Sequence, residues 1–342
     1  MIELTRRRLI GGAAAAALLP GLARAEESPV VVGTWGGDYG DLLREGVDTA
    51  IMKPFGIPVV QDVSGPVQRR TKLLAERASR RGSMDVACLA DFDMFAAAQQ
   101  SALEEISEAN VPRLAKVQPF LKKSSSIPQI YSAHTIVYNT NRVTAAPKSL
   151  HDLWDPKYRG KVGLADFLYT TNTAFAAIAG GGSMTDFEPG KKKLLEWRSL
   201  DVKVLASVEA VAMALKSEEI WFTIVAAARG FMWKQSGIPL GHVIAEEGAF
   251  PTVYEAGVPK NARNKESAFR YLNAMLEPAA QQAFALKMGY VPTVSDAPLD
   301  PEVDKQINFS EAERARLWRP DFAYLAAHQA EVLDFWNKDF KG

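Results

Sequence analysis

Val30-Val31-Val32-Gly33-Thr34-Trp35-Gly36-Gly37-Asp38 opens the part of the chain that decides the fold. Three consecutive valines in a short apolar run bounded by glycines make a buried strand, and the Gly-Gly-Asp that follows turns the chain into a helix. That helix carries Leu43, Val47, Ile51 and Phe55 at four-residue spacing. Asp38 has two readings, an N-cap for the helix and a contact for a bound molecule. A second strand covers Val59 to Val63, and Gly65-Pro66 starts a helix with Val67, Leu73 and Leu74 beside an Arg/Lys/Glu face. A third strand spans Asp85 to Leu89, ahead of Ala90-Asp91-Phe92-Asp93 and a helix from Met94. Strand and helix in strict alternation predict a parallel sheet covered on both faces.

The alternation restarts beyond the middle of the chain. His134 to Tyr138 reads as an extended crossing segment, Gly163-Leu164-Ala165 as a strand and Thr170 to Ala179 as a helix. Val202 to Ala206 and Ile220 to Ala226 read as strands, with Val208 to Lys216 helical between them. The chain is extended again from Pro251 to Val258, and a helix runs from about Lys265 to Leu276 before Pro278. The Ser310 to Trp336 stretch, with Leu, Ala and aromatics at helical spacing, predicts one or two helices across a lobe. The expected architecture is two α/β lobes joined by a two-segment hinge: residues 26–134 with 256–300, and residues 135–255 with 301–342.

Composition narrows the functions open to such a molecule. With 342 residues there is room for two cores, and 40 basic against 40 acidic residues favour neither nucleic acid nor an anionic membrane. The single cysteine, Cys88, excludes an intramolecular disulfide and a multi-thiolate zinc site; it falls in a strand and reads as a core thiol. His134, His151, His242 and His328 share no metal-ligand spacing, and no cofactor motif occurs, so neither metal nor cofactor is expected. An exported enzyme would need an oriented nucleophile or paired acids; no Gly-x-Ser-x-Gly or His-Glu-x-x-His run is present.

The N-terminus reads as an export signal. Thr5-Arg6-Arg7-Arg8-Leu9-Ile10 forms a twin-arginine n-region, Gly11 to Leu22 an apolar h-region, and Ala23-Arg24-Ala25 a cleavage site. Cleavage after Ala25 removes four arginines and one glutamate, which leaves a periplasmic protein of charge about −3.

In open parallel sheets, ligands gather beyond the carboxyl ends of the strands, beside helix N-termini. Four segments follow predicted strands in that way: Trp35 to Tyr39, Asp91 to Asp93, Asp166 to Asn172, and Ala227 to Arg229.

Three stretches carry a resemblance. Leu150-His151-Asp152-Leu153-Trp154-Asp155-Pro156-Lys157-Tyr158-Arg159-Gly160-Lys161-Val162, Asn264-Lys265-Glu266-Ser267-Ala268 with Leu276-Glu277-Pro278, and Gly289-Tyr290-Val291-Pro292-Thr293 resemble segments of bacterial ABC-importer solute-binding proteins. The resemblance is to the group that includes polyamine, thiamine and iron carriers. It implies the periplasmic-binding-protein type II fold, hinge closure on a small molecule without chemistry, a monomer, and a permease partner in the inner membrane. A receptor that reports to a sensor instead of a permease fits the same residues. By the same resemblance, Trp35 and Tyr39 fall where polyamine binders place aromatics, and Phe92 stands for a tyrosine. Phe167, Thr170 and Tyr254 stand where those binders place acids, which disfavours a polyamine. Arg229 suits a carboxylate held bidentately. With Asp91, Asp166 or Glu255 opposite it, the pair would suit a zwitterion resembling an amino acid.

Overall fold

The computed structural model describes residues 28–342. The signal-peptide segment lies outside the described residues. The first half runs β1 (Val30–Thr34), α1 (Gly37–Leu43, continued by a π-helical stretch to Met52), β2 (Val59–Val63), α2 (Pro66–Glu76), β3 (Val86–Ala90) and α3 (Asp91–Gln99). A 13-residue strand, β4 (Ile127–Asn139), leads out of it. Next come β5 (Val162–Ala165), α4 (Tyr169–Ala179), α5 (Glu188–Ser199), β6 (Lys203–Leu205), α6 (Val208–Lys216), β7 (Phe222–Ala226), α7 (Ala227–Gln235) and β8 (Leu240–Val243). β9 (Phe250–Gly257) returns to the first half, where α8 (Lys265–Met275), α9 (Pro278–Met288) and β10 (Val291–Pro292) follow. The chain ends in α10 (Pro301–Ile307), α11 (Glu311–Ala315) and α12 (Phe322–Phe335), with a last π-helical turn to Phe340.

All ten strands form one mixed sheet in the order β2-β1-β3-β9-β4-β7-β5-β6, with β8 and β10 also on β4. β1 pairs in parallel with β2 and β3, as does β5 with β6 and β7. β4 and β9 run antiparallel to each other and to their other neighbours, so two parallel units share a pair of crossing strands. The exchange of partners happens at His134. Up to that residue β4 pairs with β9, ending at His134 opposite Phe250; from it β4 pairs with β7, beginning at His134 opposite Ala226.

Separate cores flank this crossing. One gathers Val32, Leu43, Val86, Tyr131, Tyr271 and Phe284; the other gathers Leu164, Phe175, Trp197, Phe222, Ile224 and Trp336. In the second, the Trp154 ring stacks on Trp197 at 3.8 Å and 4°, so the Leu150 to Val162 stretch is held as a wall of that core. The C-terminal region serves both. Phe309 packs in the first core and Ile307 against Phe231 and Ala285, whereas Leu325, Val332 and Phe340 pack in the second.

Local geometry explains the small shifts from expectation. Helix α1 is capped by Gly36, which places Asp38 in the first turn instead of at the cap. Helix α3 starts three residues early, at Asp91, because its first-turn acids favour the positive end of the helix.

Candidate binding site between the lobes

The carboxyl ends of β1 and β3 are tied by one buried side chain. Arg69 donates from Nε to the Cys88 carbonyl (2.6 Å) and from Nη1 to the Thr34 (2.5 Å) and Ser64 (2.8 Å) carbonyls. Its guanidinium lies 4.3 Å from the centre of the Trp35 ring, which therefore rests on a fixed cation. Trp35 meets Tyr39 and Tyr254 edge-on at 4.8 and 5.3 Å, and Tyr254 meets Tyr290 at 5.5 Å.

Beside Tyr254, a cavity of about 250 Å³ opens where the two halves face each other. Asp91 and Phe92 come from α3, Thr170 and Thr171 from α4, His134 and Phe250 from the crossing strands, and Phe322 and Gln329 from α12. A larger depression of about 640 Å³ near Arg44, Asp48 and Gln61 is remote from these strand ends. It is a surface groove beside β2, whereas the smaller cavity combines aromatic walls with convergent polar groups from both halves.

Among the described residues, Asp91 is the only acid in the cavity wall. Its carboxylate accepts the backbone N–H of Phe92 (2.8 Å) and of Val253 (3.1 Å), which fixes the start of α3 to β9. Burial, with the neighbouring Glu255 charge, pushes its carboxyl up to about 7 despite those bonds. His134 is pushed the other way by burial, down to about 4, and is neutral at physiological pH.

The other sequence candidates divide sharply. Phe92, Thr170 and Tyr254 line the cavity with Asp91, and Trp35 adjoins it through Tyr254. Tyr39 does not: it is buried in the first core and donates its hydroxyl hydrogen to Gln129. Glu255 does not line the cavity either. It has no exposed surface, and its carboxylate is taken by the Lys123 ammonium and the Ser126 hydroxyl. Asp166 is drawn off to the C-terminus, where it accepts from Trp336 Nε1 (2.7 Å) and pairs with Lys341 (3.0 Å) in a different depression. Phe167 is 54% exposed, and Asp38 is exposed with Lys287 4.0 Å away. Arg229, half-buried at the start of α7, contacts Met232 Sδ at 3.8 Å and has no carboxylate within ion-pair distance among the described residues. Its charge reaches Tyr290, one ring beyond Tyr254.

Sequence reasoning missed His134, Phe250, Thr252, Phe322 and Gln329. Three of these, His134, Phe250 and Thr252, lie on the crossing strands, and the extended pattern of that hinge was the one signal that pointed to them.

Residues 49–311 match the family model described as bacterial extracellular solute-binding protein. The chain belongs to that family. Among relatives of this solute-binding protein, the spermidine/putrescine-binding periplasmic protein of Escherichia coli is 30% identical over 186 residues, covering 52% of this chain and 53% of that one. The chain thus spans about half the length of that curated relative in the match. Two solved structures share the fold over 90% of this chain: an ABC transporter protein from Clostridium perfringens and a GABA receptor. They cover 99% and 96% of their own chains, with TM-scores of 0.78 and 0.77 and identities of 20% and 22%. The fold of this solute-binding protein is therefore the periplasmic-binding-protein type II fold, and family and fold are those of transporter receptors, not enzymes. No described helix is long and apolar enough to cross a membrane, and no described cluster of His, Cys, Asp and Glu is placed to hold a metal.

Proposed function

We propose that this chain is the periplasmic substrate-binding component of an ABC importer, closing its lobes on a small solute and handing it to an inner-membrane permease. The solute is amino-acid-like, with an amine held near Asp91 and a carboxylate near Arg229. One observation carries this. Of the three acids that could face a ligand amine, Glu255 and Asp166 are spent on Lys123 and Lys341, which leaves Asp91 in the cavity and Arg229 without an ion-pair partner among the described residues. An aromatic enclosure with one acid suits a single ammonium group, and a half-buried guanidinium suits a carboxylate.

Polyamine capture is the second reading, favoured by the name of the E. coli relative. Against it stands the single acid in the wall, since a bound diamine or triamine would leave ammonium groups desolvated without partners.

A thermal-shift screen of the mature chain against 4-aminobutanoate, α-amino acids, putrescine, spermidine and thiamine separates the two. Ligand at ~100 times its dissociation constant adds about 2.7 kcal/mol to stability. The expected result is a shift with an amino acid or ω-amino acid. A shift with polyamines alone would overturn the zwitterion and keep the transport receptor.

A further inference from the structure

One polar side chain in the interlobe cavity keeps a buried nitrogen without a hydrogen bond in the ligand-free protein. His134 stands at the residue where β4 exchanges β9 for β7, and its ring forms part of the cavity wall. The ring meets Phe250 edge-on at 6.2 Å. Its Nδ1 is buried without a hydrogen bond, although the Phe250 backbone lies near enough to favour the protonated ring slightly. Buried polar atoms are nearly always paired, and leaving one unpaired is costly, so an imidazole with a bare buried nitrogen at the junction of two lobes calls for a partner that arrives from outside.

We infer that His134 is a ligand-binding residue whose imidazole accepts a hydrogen bond from an amine or hydroxyl group of the captured solute, beside Asp91. The inference rests on capture between the lobes but not on the solute's carboxylate. A neutral imidazole keeps one bare nitrogen as an acceptor and does not repel an ammonium group. Asp91 then supplies the charge and His134 the direction. Because His134 bridges β7 and β9, a bond to it reports closure to both lobes at the point they share.

The test uses the mature chain with His134→Phe, which keeps the ring volume and removes both nitrogens, and His134→Gln, which keeps a polar end. Calorimetric titration with 4-aminobutanoate and with putrescine probes the amine whatever the rest of the solute is. His134→Phe is expected to weaken whichever amine binds by about tenfold or more, and His134→Gln to recover most of that. The ligand-free melting temperature of His134→Phe should stay level or rise, since an unpaired polar group is lost. Wild-type affinity in His134→Phe overturns the inference, as does a melting temperature that falls by several degrees and returns in His134→Gln, which would mark a structural histidine. If neither amine binds the wild type, these two solutes are excluded from the proposed function. The ligand-free melting comparison then decides alone, a fall overturning the bare buried nitrogen and a rise upholding it.

Discussion

The Phe322 ring lies 6.0 Å from the Phe92 ring, so the C-terminal helix of the second core touches the helix that opens at the end of β3 in the first. Phe95 adds a second contact at 5.6 Å, and the Lys123 ammonium lies 5.5 Å over the same ring. Further along, α12 is held to the second core by Leu325 and Val332, and just beyond it by Trp336. Separating the proposed lobes would pull Phe322 off its aromatic partners, and the expected consequence is a latch on the closed state. Phe322→Ala should weaken solute binding by about tenfold, mostly through faster release. Stopped-flow dissociation measures this; an unchanged release rate removes the latch.

In the proposed site Arg229 holds the carboxylate of the solute. Arg229→Ala should weaken 4-aminobutanoate by about 10- to 100-fold and leave putrescine unchanged, because only the former has a carboxylate to lose its partner. Equal affinities for 4-aminobutanoate in wild type and variant would take Arg229 out of the site.

Acid and imidazole in the cavity titrate with opposite consequences for stability. The Asp91 carboxyl rises from 3.8 to about 7 on folding, so between those values the native state binds more protons and stability falls as pH rises. His134 falls from 6.5 to about 4, so its contribution is present above 6.5 and lost as pH drops through that window. Between pH 4 and 6.5 the two slopes offset each other. Removing the histidine term in His134→Phe should therefore stabilise the ligand-free variant relative to wild type as pH falls, by up to about 1.4 kcal/mol per pH unit. Urea unfolding at pH 4.5, 5.5 and 6.5 checks this, and a pH-independent difference would contradict it.

In the proposed site Asp91 holds the amine of the solute. Affinity should weaken as pH drops below about 7, where the carboxyl takes up its proton. In Asp91→Asn that pH dependence should vanish while weak binding remains. A titration series from pH 5.5 to 8.5 reads both.

Lys123 and Glu255 form an asymmetric pair, the amine partly exposed and the carboxylate fully buried. Lys123→Met strands a buried charge and should cost about 3 kcal/mol at neutral pH. Adding Glu255→Gln should return part of it, measurable as coupling in a double-mutant cycle of urea unfolding. A double variant no more stable than the single one would deny the pairing.

Local pattern was enough to find β2 and α6 to the residue, since each is bounded by its own turn or cap: Gly65 after the strand, Ser207 with its hydroxyl on the Ala210 N–H. It was not enough for β8, a strand of Leu240–Val243 whose three partly exposed residues carry little apolar signal and which exists because β4 offers an unpaired edge there. The cavity was half legible. Asp91, Phe92 and Thr170 follow strands and were found by that rule; Phe322 and Gln329 arrive from a helix near the C-terminus that no strand-end rule could nominate.

By itself the sequence determined the alternation of strands and helices, the two-part order of the chain and its family, because hydrophobic period and turn chemistry act between near neighbours. Which charges remain free for a ligand was decided only in three dimensions. Glu255 is claimed by a lysine 132 residues away and Asp166 by a tryptophan 170 residues away, while Asp91, held by backbone N–H groups, and Arg229 have no ion-pair partner among the described residues. A charge is spent by whatever folds to within a few ångströms of it, and that distance is set by the packing of whole lobes.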